Sequence, residues 1–258
     1  MMDFTDKRIL VTGGSRGIGR DVAIGFAKAG ATVVVSARSE QELNAVLAVV
    51  QAHGAPGYAV PCDVADPEQV AKLASSVRHT VGNIDVLVNC AGIASSHKFV
   101  THPDELWHRM LAVNLTGVYY VTKAFAGAML AQQWGRIINI ASIAAKIGGK
   151  YIAAYTASKH GVLGLTRALA VELAPHVTVN AICPAYVETP MTEASILNIV
   201  DWTGLSREEA RSTLEGVGLQ QRLIQPEEIT VLALHLARDE SRGITGQAIN
   251  VDGGAVMW

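Results

Sequence analysis

The chain has 258 residues, half of them hydrophobic and only 17% charged, with a formal net charge of −2. Such a balance can bury a large core and carries no electrostatic footprint for nucleic acid or an anionic membrane. No uncharged apolar run reaches the ~18 residues of a membrane span, and Cys62, Cys90 and Cys183 form no C-x-x-C pair. A soluble cytoplasmic protein with reduced thiols and no metal site is expected.

Seven residues precede the first apolar run, Arg8–Val11, too few for a leader peptide. That run leads into Val11-Thr12-Gly13-Gly14-Ser15-Arg16-Gly17-Ile18-Gly19 and then a helical pattern over Gly17–Ala29. Glycines permit a tight turn and close approach to a pyrophosphate, while a helix N-terminus supplies free N–H groups. The spacing is G-x-x-x-G-x-G rather than the G-x-G-x-x-G fingerprint, so position between strand and helix carries the cofactor reading. The second strand, Thr32–Ser36, ends in Ala37-Arg38, without the acid that would bind the ribose 2′-hydroxyl of NAD. Arg38 and Arg16 suit a 2′-phosphate, so NADP(H) is the expected cofactor, with NAD(H) retained as a second.

A helix over Glu40–His53 and a strand over Tyr58–Cys62 come next, followed by Asp63, placed to accept from an adenine amine. Asp66 is the natural cap of a helix over Pro67–Val81. The strand Asp85–Asn89 ends in Asn89-Cys90-Ala91-Gly92, whose small residues let a cofactor lie near the backbone. Within the helical stretch His102–Gln133, read as one or two helices, Asn114 sits among apolar neighbours and needs a partner. The strand Arg136–Ala141 delivers Ser142, and the helix Tyr151–Ala174 carries Tyr155 and Lys159 on one face. A phenol with pKa ~10 is a poor acid–base group near neutrality, and an adjacent ammonium favours its ionised form.

After the strand Val177–Ile182, the segment 192–218 breaks the rhythm and reads as a substrate lid. Ile196, Leu197, Ile199, Val200 and Trp202 are its substrate-facing candidates, and Ser206-x-x-Glu209 resembles a capping box. The helix Pro226–Ala237 and strand Ala248–Val251 complete the chain. Apolar runs without polar alternation, interleaved with helices, predict an α/β fold. It is a doubly wound parallel sheet of about seven strands with helices on both faces, in a single domain over 1–258.

Together these residues resemble the short-chain dehydrogenase/reductase family along essentially the whole chain. The resemblance is carried by Thr12-Gly13-x-x-x-Gly17-Ile18-Gly19, Asp63-Val64, Asn89-x-Ala91-Gly92, Asn114, Ser142, Tyr155-x-x-x-Lys159 and the turn Pro184–Thr189. In texture the chain is most similar to 3-oxoacyl thioester reductases and aromatic-polyketide ketoreductases. The resemblance implies a Rossmann-type fold and an NAD(P)(H)-dependent oxidoreductase interconverting a ketone and a secondary alcohol. It implies Tyr155 as general acid/base, with Lys159 lowering its pKa and binding the nicotinamide ribose. Ser142 would hold the substrate oxygen, and Asn114 a water behind Lys159. Cofactor contacts would come from Gly13, Ser15, Arg16, Gly17, Ile18, Gly19, Arg38, Asp63, Val64, Asn89, Ala91, Gly92, Pro184, Val187 and Thr189.

Ala185 and Cys90 depart from the family pattern, which usually has Gly and Asn there. The stretches 131–134 and 174–176 also lack the basic residues typical of carrier-protein reductases. The helix 151–174 is apolar on more than one face, and family members usually form tetramers, so a homotetramer is expected. Two alternatives stand beside the ketone reductase: a dinucleotide sensor or scaffold on the same fold, and a sugar or steroid alcohol dehydrogenase.

Overall fold

A computed structural model describes residues 3–258. Its seven strands are β1 (Arg8–Thr12), β2 (Thr32–Ala37), β3 (Gly57–Pro61), β4 (Val86–Asn89), β5 (Gly135–Ile140), β6 (Val177–Pro184) and β7 (Ala248–Val251). They form one sheet in the order β3-β2-β1-β4-β5-β6-β7, and every pairing is parallel. Neighbouring residues on each strand go to opposite faces. Ile9, Val11, Val33, Val35, Val86 and Val88 enter one core, whereas Leu10, Val34, Leu87 and Ile137 enter the other. Both faces are therefore buried, which is why these strands show no polar alternation in the sequence.

On the first face lie α1 (Gly17–Lys28), α2 (Glu40–Ala52) and α9 (Pro226–Ala237), contributing Val22, Phe26, Leu43, Val46 and Ile229. On the second lie α3 (Pro67–Thr80), α5 (Gly117–Ala131) and α6 (Ala153–Glu172), contributing Leu73, Val77, Phe125 and Ala170. Asp66 caps α3 as expected, accepting from the N–H groups of Glu68 and Gln69 at 2.9 and 3.2 Å, with Pro67 in the first turn. The sheet reverses strand order between β1 and β4. In open parallel sheets such a switch point, at the carboxyl ends of the strands, is where ligands bind.

One expectation is made definite and two need correction. The stretch 102–133 begins as α4 (Asp104–Leu111) and passes through a π-turn over Ala112–Thr116 before continuing as α5. Helix α6 starts at Ala153, and Tyr151 lies outside it with φ of 67°, a left-handed conformation uncommon for an aromatic residue. The segment 192–218 folds mainly as two helices, α7 (Pro190–Thr203) and α8 (Arg207–Glu215). These have their own small core of Ile196, Ala210, Leu214 and Leu223, against which Ile199 and Val200 pack. Of the five lid candidates, Leu197 and Trp202 remain half exposed. The Ser206–Glu209 capping box is present.

A buried polar chain crosses the second face. Asn89 Nδ2 donates to Asn139 Oδ1 at 2.9 Å and Thr122 Oγ1 at 3.1 Å, and Asn139 Nδ2 donates to Thr166 Oγ1 at 2.9 Å. Asn139 is fully buried, so its loss strands donors and acceptors away from water. Asn139→Ala should lower stability by about 1–3 kcal/mol, read from urea unfolding, with the native fold retained.

Candidate active site

The residues singled out from the sequence gather along the carboxyl edge of the sheet. The loop after β1 meets the loop after β4 backbone to backbone. Gly13 has φ of 66°, and a Cβ built there would lie 2.7 Å from the Ala91 backbone. One built on Gly19 would collide with the Gly13 carbonyl. Thr12 secures the crossing, its Oγ1 accepting from the N–H of Cys90 at 3.3 Å. Helix α1 opens on this loop with no side-chain cap and no acidic residue in its first turn. Its free N–H groups and positive end are matched to a pyrophosphate.

The side chains expected to touch a dinucleotide are arranged unevenly. Arg38 is exposed at the end of β2, and Arg16 is exposed in the glycine loop. Pro184 and Val187 are buried, and Thr189 caps α7, accepting from the N–H of Thr192 at 3.4 Å. Thr189 also overlies the glycine loop, its Cγ2 3.3 Å from where a Cβ on Gly17 would stand. Others turn inward. The Asn89 amide belongs to the buried polar chain described above, Ile18 packs on the core, and Val64 packs against Gly117. For Ile18 and Val64 only the backbone is left to meet a ligand. Asp63, expected at an adenine amine, is paired with Arg109 at 2.6 Å and accepts from the N–H of Ala65. Burial works to raise the Asp63 pKa, but the bonds from Arg109 and Ala65 and the charges of Arg109 and Arg38 leave it lowered.

Ser142 leaves β5 in extended conformation, and its Oγ accepts from the N–H of Ala144 at 3.1 Å. Tyr155 and Lys159 stand one turn apart on α6, with Lys159 Nζ 5.7 Å from the phenol ring centre. Lys159 is 5% exposed and donates to the Ile140 carbonyl at 2.8 Å. Asn114, fully buried in the π-turn, clasps Ile93 by donating to its carbonyl and accepting from its N–H, each at 2.9 Å. It also donates to Ser158 Oγ at 3.2 Å. A Cβ on Gly92 would sit 3.5 Å from Asn114 Oδ1 and 3.8 Å from Lys159 Nζ, so the absence of a side chain keeps that space open. π-turns recur at functional sites because they interrupt the helical ladder.

The electrostatics correct one expectation. Burial pushes the Tyr155 phenol up to about 12, with the Ser142 hydroxyl opposing the rise. Burial also brings Lys159 itself down to about 8. Near neutrality the pair is thus a protonated phenol beside an ammonium on the verge of losing its proton.

Beyond the start of α6 lies a cavity of about 350 Å³, bounded by His97–Val100 and Gly149–Tyr151. Trp202 of α7 packs edge-on against two of these residues, Tyr151 (5.8 Å between ring centres) and His97 (6.3 Å). Neither Tyr151 nor His97 was singled out from the sequence, where nothing marks them as neighbours of Trp202.

The profile of the short chain dehydrogenases matches residues 7–198. The chain belongs to the short-chain dehydrogenase family. Among similar proteins, a 3-oxoacyl-[acyl-carrier-protein] reductase of Synechocystis is 41% identical, with all of both chains covered. A 3β-hydroxysteroid dehydrogenase of Mediterraneibacter gnavus is 37% identical over 99% of this chain and 96% of the relative. The structure also superposes on a variant of actinorhodin polyketide ketoreductase solved with NADPH. That match has a TM-score of 0.95 and 38% identity, with both chains fully covered. As a member of this family the chain is an oxidoreductase that interconverts ketones and alcohols. No helix among the described residues is long and apolar enough to cross a membrane.

The two opposite shifts can be measured without substrate. An NMR titration should place the Lys159 midpoint near 8, ammonium below and amine above, while Tyr155 stays a phenol through pH 10.

Proposed function

We propose that this short-chain dehydrogenase is an NADP(H)-preferring ketone reductase in which Tyr155 delivers the proton. The observation that carries the reading is the convergence of Ser142, Tyr155 and Lys159 at the carboxyl edge of β5, with the phenol protonated across the neutral range. A protonated phenol is the form a general acid needs when a carbonyl becomes an alkoxide. The Ser142 hydroxyl is placed to donate to the oxygen as charge develops there. The Lys159 ammonium supplies a positive charge behind the phenol and refills its proton. Asn114 fixes the Ile93 loop and, with Ser158, keeps that inner wall polar.

The glycine loop, the uncapped α1 terminus, Arg16 and Arg38 fit a dinucleotide bearing a 2′-phosphate. When bound, such a cofactor supplies the hydride; the chain's own residues position it, supply the proton and exclude water. Contacts from Gly13, Ser15, Gly17, Gly19, Ala91, Gly92, Pro184, Val187 and Thr189 belong to this proposal, as does use of NAD(H) at lower affinity. Helices α7 and α8 act as the lid, with Trp202 closing on Tyr151 and His97 over the cavity. The substrate class is a ketone on a thioester chain or a ring, in keeping with what the relatives' names say of those proteins. A single-domain homotetramer in the cytoplasm completes the proposal, supported by the exposed apolar residues Val171 and Leu130 on α6 and α5.

Tyr155→Phe should cut turnover with a cyclic or 3-oxoacyl ketone by about 10²–10⁴-fold, the usual worth of general acid catalysis, with cofactor affinity unchanged within a few-fold. NADPH oxidation followed by absorbance measures the first and fluorescence titration the second. Full turnover in this variant, or a larger kcat/KM with NADH than with NADPH, contradicts the respective half of the proposal.

A further inference from the structure

The rim of the glycine loop holds an anion of its own. Ser15 Oγ donates to Glu42 Oε2 at 2.8 Å, and Arg16 Nη1 lies 3.9 Å from Glu42 Oε1. One carboxylate therefore spans Ser15, an expected cofactor contact, and Arg16, one of the two arginines assigned to a 2′-phosphate. Glu42 is fixed from behind: it sits in the first turn of α2, and its N–H donates to the capping Ser39 Oγ at 3.3 Å. The positive end of α2 steadies the negative charge there. The other cation, Arg38, has its field shared with the Asp63 carboxylate, which Arg109 already holds.

The ion pair adds little to stability. Both partners are well exposed, Arg16 at 65% and Glu42 at 43%, and pairs of that kind contribute between nothing and about 1 kcal/mol. Its weight lies in what the carboxylate occupies. An incoming phosphate must take Ser15 and Arg16 from Glu42, and afterwards the two anions remain near one another because the Glu42 backbone is held in the first turn of α2. A ribose 2′-hydroxyl faces no such exchange, since it is a donor and Glu42 is an acceptor.

We propose that Glu42 is the residue setting cofactor discrimination: it stands in for the 2′-phosphate in the free protein, weakens NADP(H), and accepts from the 2′-hydroxyl of NAD(H). This rests on the dinucleotide reading of the loop and deepens it. The residue works on the side opposite Arg38, so the two together place the chain between strict NADP and strict NAD use.

Isothermal titration calorimetry on the full chain, without substrate, tests it with NADP⁺, NAD⁺ and the fragment 2′,5′-ADP. Glu42→Gln should tighten NADP⁺ and 2′,5′-ADP by about five- to tenfold at low salt and less at 0.5 M, as expected of an exposed charge. NAD⁺ should bind several-fold more weakly, its 2′-hydroxyl having lost a charged acceptor, and unchanged NAD⁺ affinity removes that half of the proposal; Glu42→Asp, one methylene shorter, should fall between. Unchanged or weaker NADP⁺ binding by Glu42→Gln, in a variant whose melting temperature matches the parent, overturns the proposal. Arg38→Ala separates the underlying reading. If it leaves NADP⁺ affinity intact while Glu42→Gln still tightens it, the preference assigned to Arg38 fails and the role of Glu42 stands.

Discussion

The cleft depends on one buried ammonium. Lys159 is almost wholly withdrawn from water and donates to the Ile140 carbonyl at the last residue of β5. Burying such a charge costs several kcal/mol before compensation, and a single carbonyl returns only part of it. The unreturned part appears as the fall of its pKa to about 8. The contact also fixes geometry. It pins α6 to the end of β5, where Ser142 follows two residues later, and so sets Tyr155 between them. Asn114 holds the opposite wall through Ile93, which keeps the loop after β4 from filling the space next to the ammonium. A cleft arranged this way is polar at its base and dry enough to keep a phenol protonated.

Much of this was legible in the chain. Parallel strands buried on both faces leave unbroken apolar runs, so all seven appeared within a residue or two of their observed ends. The order of chemistry-bearing residues along the sheet edge followed from the same pattern. What escaped was tertiary. The pKa of Tyr155 was read from its sequence neighbour Lys159, whereas the largest influence on it is burial by the surrounding fold, which raises it. Asp63 looked free because its partner, Arg109, lies far along the chain on α4. Asn89 looked ligand-facing because Asn139 and Thr122, which engage it, belong to other elements. Glu42 went unremarked because Ser39-x-x-Glu42 reads only as a helix start; nothing local shows Ser15 opposite.

The segment between β6 and α9 shows the same limit from another side. Its apolar residues were read as substrate-facing because an isolated stretch offers no other use for them. In the fold, Ile196 meets Ala210, Leu214 and Leu223, so α7 and α8 carry a private core. Trp202 is left over from that core, and its ring lies against Tyr151 and His97 at the cavity. Tyr151 keeps a left-handed backbone there, a local strain that its surroundings must offset.

The floor of the glycine loop has a consequence for redesign. Where Gly13 abuts Ala91 and Gly19 abuts Gly13, backbone rests on backbone and no side chain can be added without moving the loops after β1 and β4. Alteration is confined to the rim, where Glu42 joins Ser15 and Arg16 and the exposed Arg38 stands at the end of β2, side chains that can be exchanged one at a time. The recess for the dinucleotide thus separates into an immutable seat and an adjustable collar, and changes in cofactor use have only the collar to work with.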